Sequence, residues 1–437
     1  MRYACLTIIA CVALAASAGA SAQRNRGTAG TATTSWIVVL KDNTTNVDSK
    51  INSLSSQLGF ETAYRYHDAL KGFAASLTQE QAAALRADAS VQFLSLDLHQ
   101  YVLDGTKRIR AGEVVPPGIY RIESAVGNRI QKKSSVAVAV SDTGIDLDHP
   151  DLNARNGFNC LNPGAPAEDD FGHGVHVAGT IGAKNNGSGL PGVSPNTVVV
   201  AYKWIDSSGN GSLSGAICSW DHIIQDKGKF NIGVVQNSWR FFGGSDDNNC
   251  GNTNNDALHK AACRVVAAGI VLVASAGNET NNYATNIPAA YNEALTVTAM
   301  ADTDGMPGGM GPPPSCFSGN ADDRYASFSS FAAAGSNDES HTVSGPGVCV
   351  RSTYLNGGYA VLSGTSMSGP HVAGTVANCI GHRLAPGPCA GMTPAQVIVK
   401  IRADAAAKPL SYGYTGDPNH QPPPGRYYGF LVSNLSY

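Results

Sequence analysis

Three short segments of this 437-residue chain carry the side chains that nucleophilic acyl transfer needs. Asp142 follows the apolar run "VAVAVS", His173 lies in "DDFGHGVHVAGT", and Ser366 lies in "VLSGTSMSGPHVAGT". A serine hydroxyl is a weak nucleophile until an imidazole takes its proton, and the imidazole needs a carboxylate to fix its tautomer and stabilise its cation. Each segment alone is weak evidence, because an aspartate after a strand is usually a cap and "GTS" is usually a loop. Together they predict a catalytic triad.

The pentapeptide "HVAGT" occurs twice, at residues 176–180 and 371–375. It admits three interpretations: an internal repeat, a pair of metal-ligand histidines, or two helices with the same packing needs. His173 lies three positions before the first copy, whereas Ser366 lies five positions before the second, so a duplicated domain does not explain both. We expect two helices that enter the core, with small residues where backbones approach closely. His176 and His371 are then structural rather than metal ligands.

The elements that must position these groups form an α/β pattern after Pro117. Apolar, β-branched runs alternate with helical segments, which indicates a parallel sheet covered on both faces. In such sheets, residues that handle ligands gather at the carboxyl ends of the strands. We therefore predict a three-layer α/β/α domain over residues 113–437, with strands at 135–142, 197–204, 232–238, 269–277 and 294–300.

A smaller unit is predicted over residues 35–102. "WIVVLK" and "GFAASL" read as strands, residues 47–58 have a helical period, and "VQFLSLDLHQYV" closes the unit with a strand. Thr78 is placed to cap a helix over "QEQAAALRA". Residues 103–112 contain Gly and charged residues and are predicted to be a linker.

The first 22 residues have the features of an export signal: Arg2, a short apolar core, and small residues before Gln23. An uncleaved membrane anchor is the alternative. Residues 23–34 are polar and small, and we expect a flexible lead-in. Eight of the ten cysteines remain after cleavage, an even count that suggests disulfides in an exported chain. The sequence has no CxxC, which argues against a zinc cluster. Charged residues make up 14% of the chain and its net charge is −3, so neither binding to nucleic acid nor binding to an anionic membrane surface is indicated.

Taken together, these stretches resemble the subtilisin superfamily of serine proteases. "VAVSDTGIDLDHPDL", "GHGVHVAGT" and "GTSMSGPHVAG" look like its aspartate, histidine and serine motifs, in the family's order. The resemblance implies a subtilisin fold in which Asp142 orients, His173 is general base and then acid, and Ser366 is the nucleophile. Residues 35–102 resemble the family's inhibitory propeptide, and "VASAGNE" resembles its oxyanion segment, which makes Asn278 an oxyanion donor.

The same resemblance implies the substrate cleft. Its residues would be Gly209, Asn210 and Gly211 as an edge that pairs with a peptide, Leu213 in a distant apolar subsite, and Ser238, Ser275, Ala276 and Gly277 around a primary pocket that admits a large apolar side chain. The chain departs from the family at Val175, at Ser368 and Gly369, and at Trp239 and Arg240. The last pair replaces a Leu and a Gly, and a side chain at the Gly position, here Arg240, could crowd the primary pocket or add a charge to its rim.

A structural calcium site and a disulfide pattern are also implied. Glu113, Asp151 and Asn186 match calcium-ligand positions of the family, and hard oxygen ligands suit calcium. A solvated Asn-Gly surface turn is the alternative. Similar secreted enzymes suggest the pairs Cys160–Cys218, Cys250–Cys263, Cys316–Cys349 and Cys379–Cys389.

The sequence thus predicts a secreted, extracellular serine endopeptidase, monomeric and made as a proenzyme. It would act on peptide and protein substrates, use no cofactor for catalysis, and associate stably with neither nucleic acid nor membranes. Its propeptide would template folding, be cut off by the enzyme itself between Tyr101 and Gly112, and then inhibit it. One alternative is a catalytically silent relative that binds peptides. A nucleotide-binding oxidoreductase is disfavoured because no GxGxxG follows a strand and opens a helix.

Overall fold

The structure is a computed structural model that describes residues 33–101, 107–109, 114–126, 129–130, 133–382 and 385–437. The predicted signal at 1–22, most of the lead-in and most of the linker at 103–112 lie outside the described residues. A small N-terminal unit packs against a large α/β unit.

The N-terminal unit is the predicted α+β fold. Helices Val47–Leu58 and Gln79–Ala87 pack on one four-stranded antiparallel sheet. Thr78 caps the second helix as predicted, in a reciprocal capping box with Gln81. The sheet has the spatial order Tyr64–Tyr66, Gly72–Leu77, Thr34–Leu40 and Val91–Leu96, of which only the first strand was not predicted.

Both faces of this small sheet are buried. In strand Thr34–Leu40, Val38 and Leu40 pack against the unit's own helices. Their neighbours Ile37 and Val39 face the other way and join a core cluster with residues of the large unit, including Trp204 and Leu213. Because successive side chains of a strand point to opposite faces, one apolar run contributes residues to two different core clusters.

The large unit is built on a mainly parallel sheet. All five predicted strands are present, and each begins and ends within two residues of its predicted bounds. Adjacent strands on the main path are parallel, and Arg324–Tyr325 adds an antiparallel edge to Ala294–Ala301. The spatial order is Asn153–Asn159, Val198–Lys203, Ala137–Asp142, Ile232–Asn237, Val271–Ser275, Ala294–Ala301, Thr342–Pro346 and Phe430–Leu431.

Helices cover both faces of the sheet. In strand Ala137–Asp142, Val138 and Val140 share a core cluster with the helices that begin at His173 and Thr365. Ala137 and Ala139 point to the opposite face, which holds the helices that begin at Leu213 and Ala257. The predicted three-layer α/β/α fold is thereby confirmed. The helices of this unit are Pro117–Arg121, His173–Gly182, Leu213–Phe230, Ala257–Ala267, Thr365–Ile380 and Pro394–Ala406, with 3-10 turns at Tyr283–Thr285, Asn337–His341 and Leu410–Tyr412.

Short antiparallel pairs complete the secondary structure. They are His99–Tyr101 with Asn210–Ser212, Ala125–Val126 with Arg129–Ile130, Phe241–Phe242 with Asn286–Ile287, Ala332–Ala333 with Arg426–Tyr427, Gly381–His382 with Ala385–Pro386, and a three-stranded set of Val350–Tyr354, Gly358–Leu362 and Lys107–Ile109. In the described part of the chain, no helix has the length and apolar character needed to cross a bilayer.

The two "HVAGT" copies lie in helices that run through the core, as predicted. His176 is buried and hydrogen-bonds the carbonyl of Val350, and His371 is buried and hydrogen-bonds the carbonyl of Met367. Burial lowers the pKa of His176 to about 3 and that of His371 to about 4, so both rings are neutral. A Cβ on Gly374 would lie 2.7 Å from the Val193 side chain, so close backbone packing explains the shared small residues.

All four suggested disulfides are present: Cys160–Cys218, Cys250–Cys263, Cys316–Cys349 and Cys379–Cys389. Each joins cysteines that are neighbours in the order of the mature sequence. The eight cysteines after residue 22 are therefore all paired.

Candidate active site

Asp142 and His173 are joined by a hydrogen bond of 2.7 Å between Oδ1 and Nδ1. Asp142 ends its strand and is fully buried, and its Oδ1 also accepts the Thr143 amide at 2.7 Å. His173 opens the helix His173–Gly182. A carboxylate beside Nδ1 favours the tautomer in which Nδ1 carries the proton, which leaves Nε2 as the proton acceptor.

The loop before His173 is held by a second carboxylate. Asp169 is buried and accepts the backbone amides of Phe171, Gly172 and Val175 at 2.8 to 3.0 Å. Gly172 has φ +111°, a conformation that favours glycine. The start of the histidine helix is therefore fixed by backbone contacts. Val175, which stands where the family pattern usually has a residue with a hydroxyl, packs its side chain in the core.

Ser366 lies in the first turn of the helix Thr365–Ile380. Its Oγ donates to the carbonyl of Ser238 at 3.1 Å, and the Ser238 hydroxyl donates back to the carbonyl of Ser366 at 2.9 Å. Ser366, His173 and Asn278 line one cavity of about 380 Å³. The structure thus brings the three segments of the sequence motifs to the carboxyl edge of the sheet.

The amide orientation of Asn278 is fixed by its neighbours. Its Oδ1 accepts the backbone N–H of Thr365 at 2.8 Å and the Thr365 hydroxyl at 2.9 Å. Because a backbone N–H can only donate, the oxygen must face Thr365, and Nδ2 takes the other side. A Cβ placed on Gly364 would lie 3.3 Å from this Nδ2 and 3.6 Å from the Ser366 amide nitrogen. Two N–H donors therefore converge beside the Ser366 side chain.

The predicted peptide-binding edge is occupied by the chain's own N-terminal unit. Strand Asn210–Ser212 pairs antiparallel with His99–Tyr101, with Tyr101 opposite Asn210 and Gln100 opposite Gly211. The Leu213 amide donates to the Leu98 carbonyl at 2.7 Å. Leu213 also lines a groove with Leu94, Leu96 and Leu98, as an apolar subsite would.

The walls predicted for the primary pocket are held by the serine helix. The Ser275 hydroxyl donates to the Thr365 carbonyl at 2.9 Å, and the Gly277 amide donates to the Thr365 hydroxyl at 3.1 Å. Ser275 and Ala276 are buried. Gly277 has φ +112°.

The departures at Trp239 and Arg240 have different outcomes. Trp239 points inward: it is 3% exposed, packs against Trp204, Trp220 and Phe241, and donates its indole N–H to the Ser141 carbonyl at 2.8 Å. It therefore belongs to the core and leaves the cleft free.

Arg240, the next residue, lies at the cleft. Its Nε donates to Glu279 Oε2 at 2.9 Å and its Nη2 pairs with Oε1, a two-pronged ion pair. A Cβ on Gly277 would lie 2.7 Å from Glu279 Oε2 and 3.2 Å from Arg240 Cδ. The pair thus lies directly against Gly277, one of the residues predicted to form the wall of the primary pocket.

The departure at Ser368 and Gly369 also has a packing reason. A Cβ on Gly369 would lie 2.3 Å from the Gln236 amide nitrogen. Gln236 in turn donates to the Ser238 hydroxyl at 2.9 Å. A glycine at 369 therefore makes room for the side chain that supports Ser238.

Two residues of the predicted calcium site, Asp151 and Asn186, lie together and are hydrogen-bonded. Asp151 Oδ1 accepts from Asn186 Nδ2 at 3.0 Å, and Oδ2 accepts from the Leu190 amide and the Tyr359 hydroxyl, each at 3.3 Å. Asn186 Oδ1 is taken by the Ser188 amide at 3.0 Å, so Asn186 presents its nitrogen to Asp151. Glu113 lies outside the described residues. The contacts are those of a hydrogen-bonded turn, and the calcium prediction gains no support here.

Comparison with known proteins assigns the chain to a family. The model of the subtilase family matches residues 133–416, and that of peptidase inhibitor I9 matches residues 35–100. The chain belongs to the subtilase family. It is a serine endopeptidase preceded by an inhibitory propeptide domain, and subtilisins need no cofactor for catalysis.

Several proteins show the likeness over most of their length. Subtilisin E of Bacillus subtilis (strain 168) is 34% identical over 311 residues, covering 70% of this chain and 69% of that protein. A thermostable alkaline protease of Halalkalibacterium halodurans is 32% identical over 304 residues, covering 69% of this chain and 70% of that protein. A solved cold adapted subtilisin-like serine proteinase has a TM-score of 0.53 and 24% identity, covering 74% of this chain and 98% of that one, and shows the same fold.

Sequence reasoning missed two groups at the cleft. Thr365, which holds Asn278 and Gly277, stands beside the nucleophile in "GTS" and gives no signal of its own. Glu279 follows Asn278, and only its distant partner Arg240 makes it part of the pocket. The available signal was an acidic residue directly after Asn278 together with a cationic residue at the position where the family has glycine.

Proposed function

We propose that Asp142, His173 and Ser366 form the catalytic triad and that Asn278 is the oxyanion donor. The observation that carries this proposal is the 2.7 Å Asp142–His173 contact at a cavity that Ser366 and Asn278 also line. A rotation about the Ser366 Cα–Cβ bond exchanges its hydrogen bond to Ser238 for one to His173 Nε2.

In the proposed reaction, His173 Nε2 takes the Ser366 proton as Oγ attacks the substrate carbonyl carbon. The carbonyl oxygen becomes an oxyanion and accepts hydrogen bonds from Asn278 Nδ2 and the Ser366 amide. His173 then protonates the leaving amine, and the C–N bond breaks to leave an acyl-enzyme. Water, deprotonated by the same imidazole, hydrolyses the ester. Asp142 stays ionised and stabilises the imidazolium throughout.

We propose further that the enzyme cuts its own propeptide between Tyr101 and Gly112. Residues 99–101 pair with the substrate edge Asn210–Ser212. Residues 107–109 pair with strand Gly358–Leu362, which leads into the turn before Ser366. These two pairings, on either side of residues 102–106, support a cut in this part of the chain.

Export and a monomeric state complete the proposal. The signal-like residues 1–22 and the four disulfides support secretion, because disulfides persist in oxidising compartments. Mass spectrometry of the Ser366→Ala protein from the culture medium should give an N-terminus near Gln23, and light scattering should give the mass of one chain. Retention in the cell, or an uncut N-terminus, would contradict export.

Two measurements test the chemistry. The parent enzyme should be labelled by a serine-directed fluorophosphonate, and the Ser366→Ala variant should not. The same variant should keep its propeptide covalently attached. Normal maturation of Ser366→Ala would refute self-processing, and absence of labelling in the parent would favour a silent peptide-binding protein.

The primary pocket should prefer small side chains. The Arg240–Glu279 pair lies against Gly277 and fills space that a large P1 side chain needs. A peptide library cleaved by the mature enzyme should therefore show Ala or Ser more often than Phe or Tyr before the scissile bond.

A further inference from the structure

A loop of residues 302–323, here called the acidic loop, joins two paired strands of the central sheet. It begins after strand Ala294–Ala301 and ends at Arg324–Tyr325, which pairs with that strand. Its two ends are tied together, because Asp322 Oδ1 accepts the Thr303 amide at 2.7 Å and Asp322 Oδ2 accepts the Gly311 amide at 2.8 Å. Carboxylates from both ends of the loop thereby meet.

Three of these carboxylates have the spacing of cation ligands. One oxygen from each of Asp302, Asp304 and Asp322 lies within 4.8 Å of the others. Calcium–oxygen distances are about 2.3 to 2.6 Å, so oxygens around one calcium ion lie up to about 5 Å apart. The three oxygens therefore fit around a single ion.

The buried charge of the cluster is not balanced by the protein. Asp302, Asp322 and Asp323 are all more than 90% buried, and Arg121 at 1% exposure supplies one positive charge. That guanidinium donates from Nε to Asp323 Oδ1 at 2.7 Å and from Nη2 to two backbone carbonyls, and its Nη1 has no hydrogen-bond partner among the described residues. Three carboxylates against one guanidinium leave two negative charges when all are ionised. Buried charges of this kind are normally paired or bound to metal.

Asp302 shows the deficit most directly. Its Oδ1 accepts the Gly305 amide at 3.1 Å, but its Oδ2 is closed to solvent and has no hydrogen-bond partner among the residues that the structure describes. One oxygen of the Asp302 carboxylate therefore lacks a partner among the described residues.

We propose that Asp302, Asp304 and Asp322 bind a calcium ion that clamps the two ends of the acidic loop. The group offers only carboxylate oxygens, which suit a hard cation rather than zinc or copper. Three carboxylates favour calcium over magnesium, which is usually held by one or two carboxylates and keeps several waters. Asp304 is exposed and gives the ion a path from solvent.

The ion would shape the catalytic cleft, a consequence that rests on the proposed function. Ser315, Cys316 and Phe317 lie in the acidic loop and line the cavity of His173 and Ser366. The Cys316–Cys349 disulfide fixes this part of the loop, and the ion fixes its two ends. Calcium should therefore hold one wall of the cleft in place.

Calcium binding is tested by calorimetric titration of the full chain in the Ser366→Ala background after chelation. This background removes self-digestion, so the result does not depend on whether the chain is a protease. Asp302→Asn should bind one calcium ion fewer than its parent. It should also be at least as stable as its parent in EDTA, because it replaces a buried carboxylate whose Oδ2 has no partner among the described residues. It should lose the calcium-dependent rise in Tm that this site provides.

Two further variants keep the test decisive. Asp304→Asn changes an exposed ligand, so the variant should fold. It should weaken calcium binding by more than about 10-fold, because mutating even the indirect partners of a metal site lowers metal affinity about 10- to 100-fold. Glu339→Gln removes one carboxylate outside the cluster, keeps an acceptor for the Gly335 amide, and should bind calcium as its parent does. Parent-like calcium number and affinity in both aspartate variants would overturn the proposal, whatever the enzyme's activity.

Discussion

The primary pocket gives the sharpest test of how this chain differs from its relatives. Arg240→Gly removes the side chain whose Cδ would lie 3.2 Å from a Cβ on Gly277, and restores the glycine of the family pattern. The Arg240 side chain is 21% exposed and that of Glu279 is 28% exposed, so the vacated space is largely sheltered from solvent. A large apolar P1 side chain should then be buried where the guanidinium lay.

The expected size of the effect follows from that burial. Fully burying a Phe side chain contributes about 1.5 to 3 kcal/mol, which corresponds to roughly 10- to 150-fold in kcat/KM. We expect Arg240→Gly to raise the ratio of kcat/KM for Phe over Ala by this factor, with the Ala substrate nearly unchanged. The assay is hydrolysis of two peptide p-nitroanilides that differ only at the residue before the scissile bond.

Arg240→Lys is the matched control. It keeps a long cationic side chain at the rim but loses the two-pronged contact with Glu279, so it should still disfavour Phe. If the ratio of kcat/KM for the Phe substrate over the Ala substrate in Arg240→Gly stayed within about two-fold of the parent's ratio, the reasoning that the ion pair blocks the pocket would be refuted. Equal losses on both substrates would show instead that Arg240 supports the oxyanion segment.

Three further outcomes are expected. Asn278→Leu should lower kcat about 100- to 1000-fold with little change in KM, a magnitude known for the corresponding donor of subtilisin rather than worked out from this structure. Thr365→Val should lower kcat by roughly 5- to 10-fold, since it deletes one hydrogen bond that orients Asn278; an unchanged kcat would remove Thr365 from that role. Burial lowers the pKa of His371 to about 4, so unfolding takes up a proton below the unfolded pKa of about 6.5, and stability falls as pH drops from that value towards 4. Urea unfolding should be measured for Ser366→Ala with and without His371→Gln. Between pH 7 and pH 5 the free energy of unfolding should fall by about 2 kcal/mol less in the double variant, and equal falls would contradict a buried neutral ring.

The elements with strong local signals were predictable, and those defined by partners were not. "AVAVSD" and "VLVAS" are uninterrupted apolar runs that only a sheet buried on both faces accommodates. Strand Thr342–Pro346 reads "TVSGP", and its Gly and Pro hide a strand that exists because it pairs with Ala294–Ala301. Local sequence patterns do not contain such long-range pairing.

The candidate site divides in the same way. The aspartate, histidine and serine motifs give the position of each reactive group, but not the contacts between them. Trp239 and Arg240 both depart from the family pattern, yet one enters the core and the other the cleft, because consecutive residues of an extended segment point to opposite sides. The sequence shows the substitutions, whereas their direction depends on aromatic partners contributed by other segments.

The propeptide contacts explain why cutting the chain need not activate the enzyme. Much of the binding surface lies away from the cleft: Asp221 accepts the backbone amides of residues 67–69 at 2.6 to 3.1 Å, and Asp97 accepts the Ser214 amide at 2.8 Å at the start of helix Leu213–Phe230. Ile37 and Val39 add an apolar face that is buried against the same unit. None of these contacts includes the peptide bonds between Tyr101 and Gly112. If the chain is cut there as proposed, only the covalent tether is lost, and we expect the freed propeptide to stay bound through these contacts.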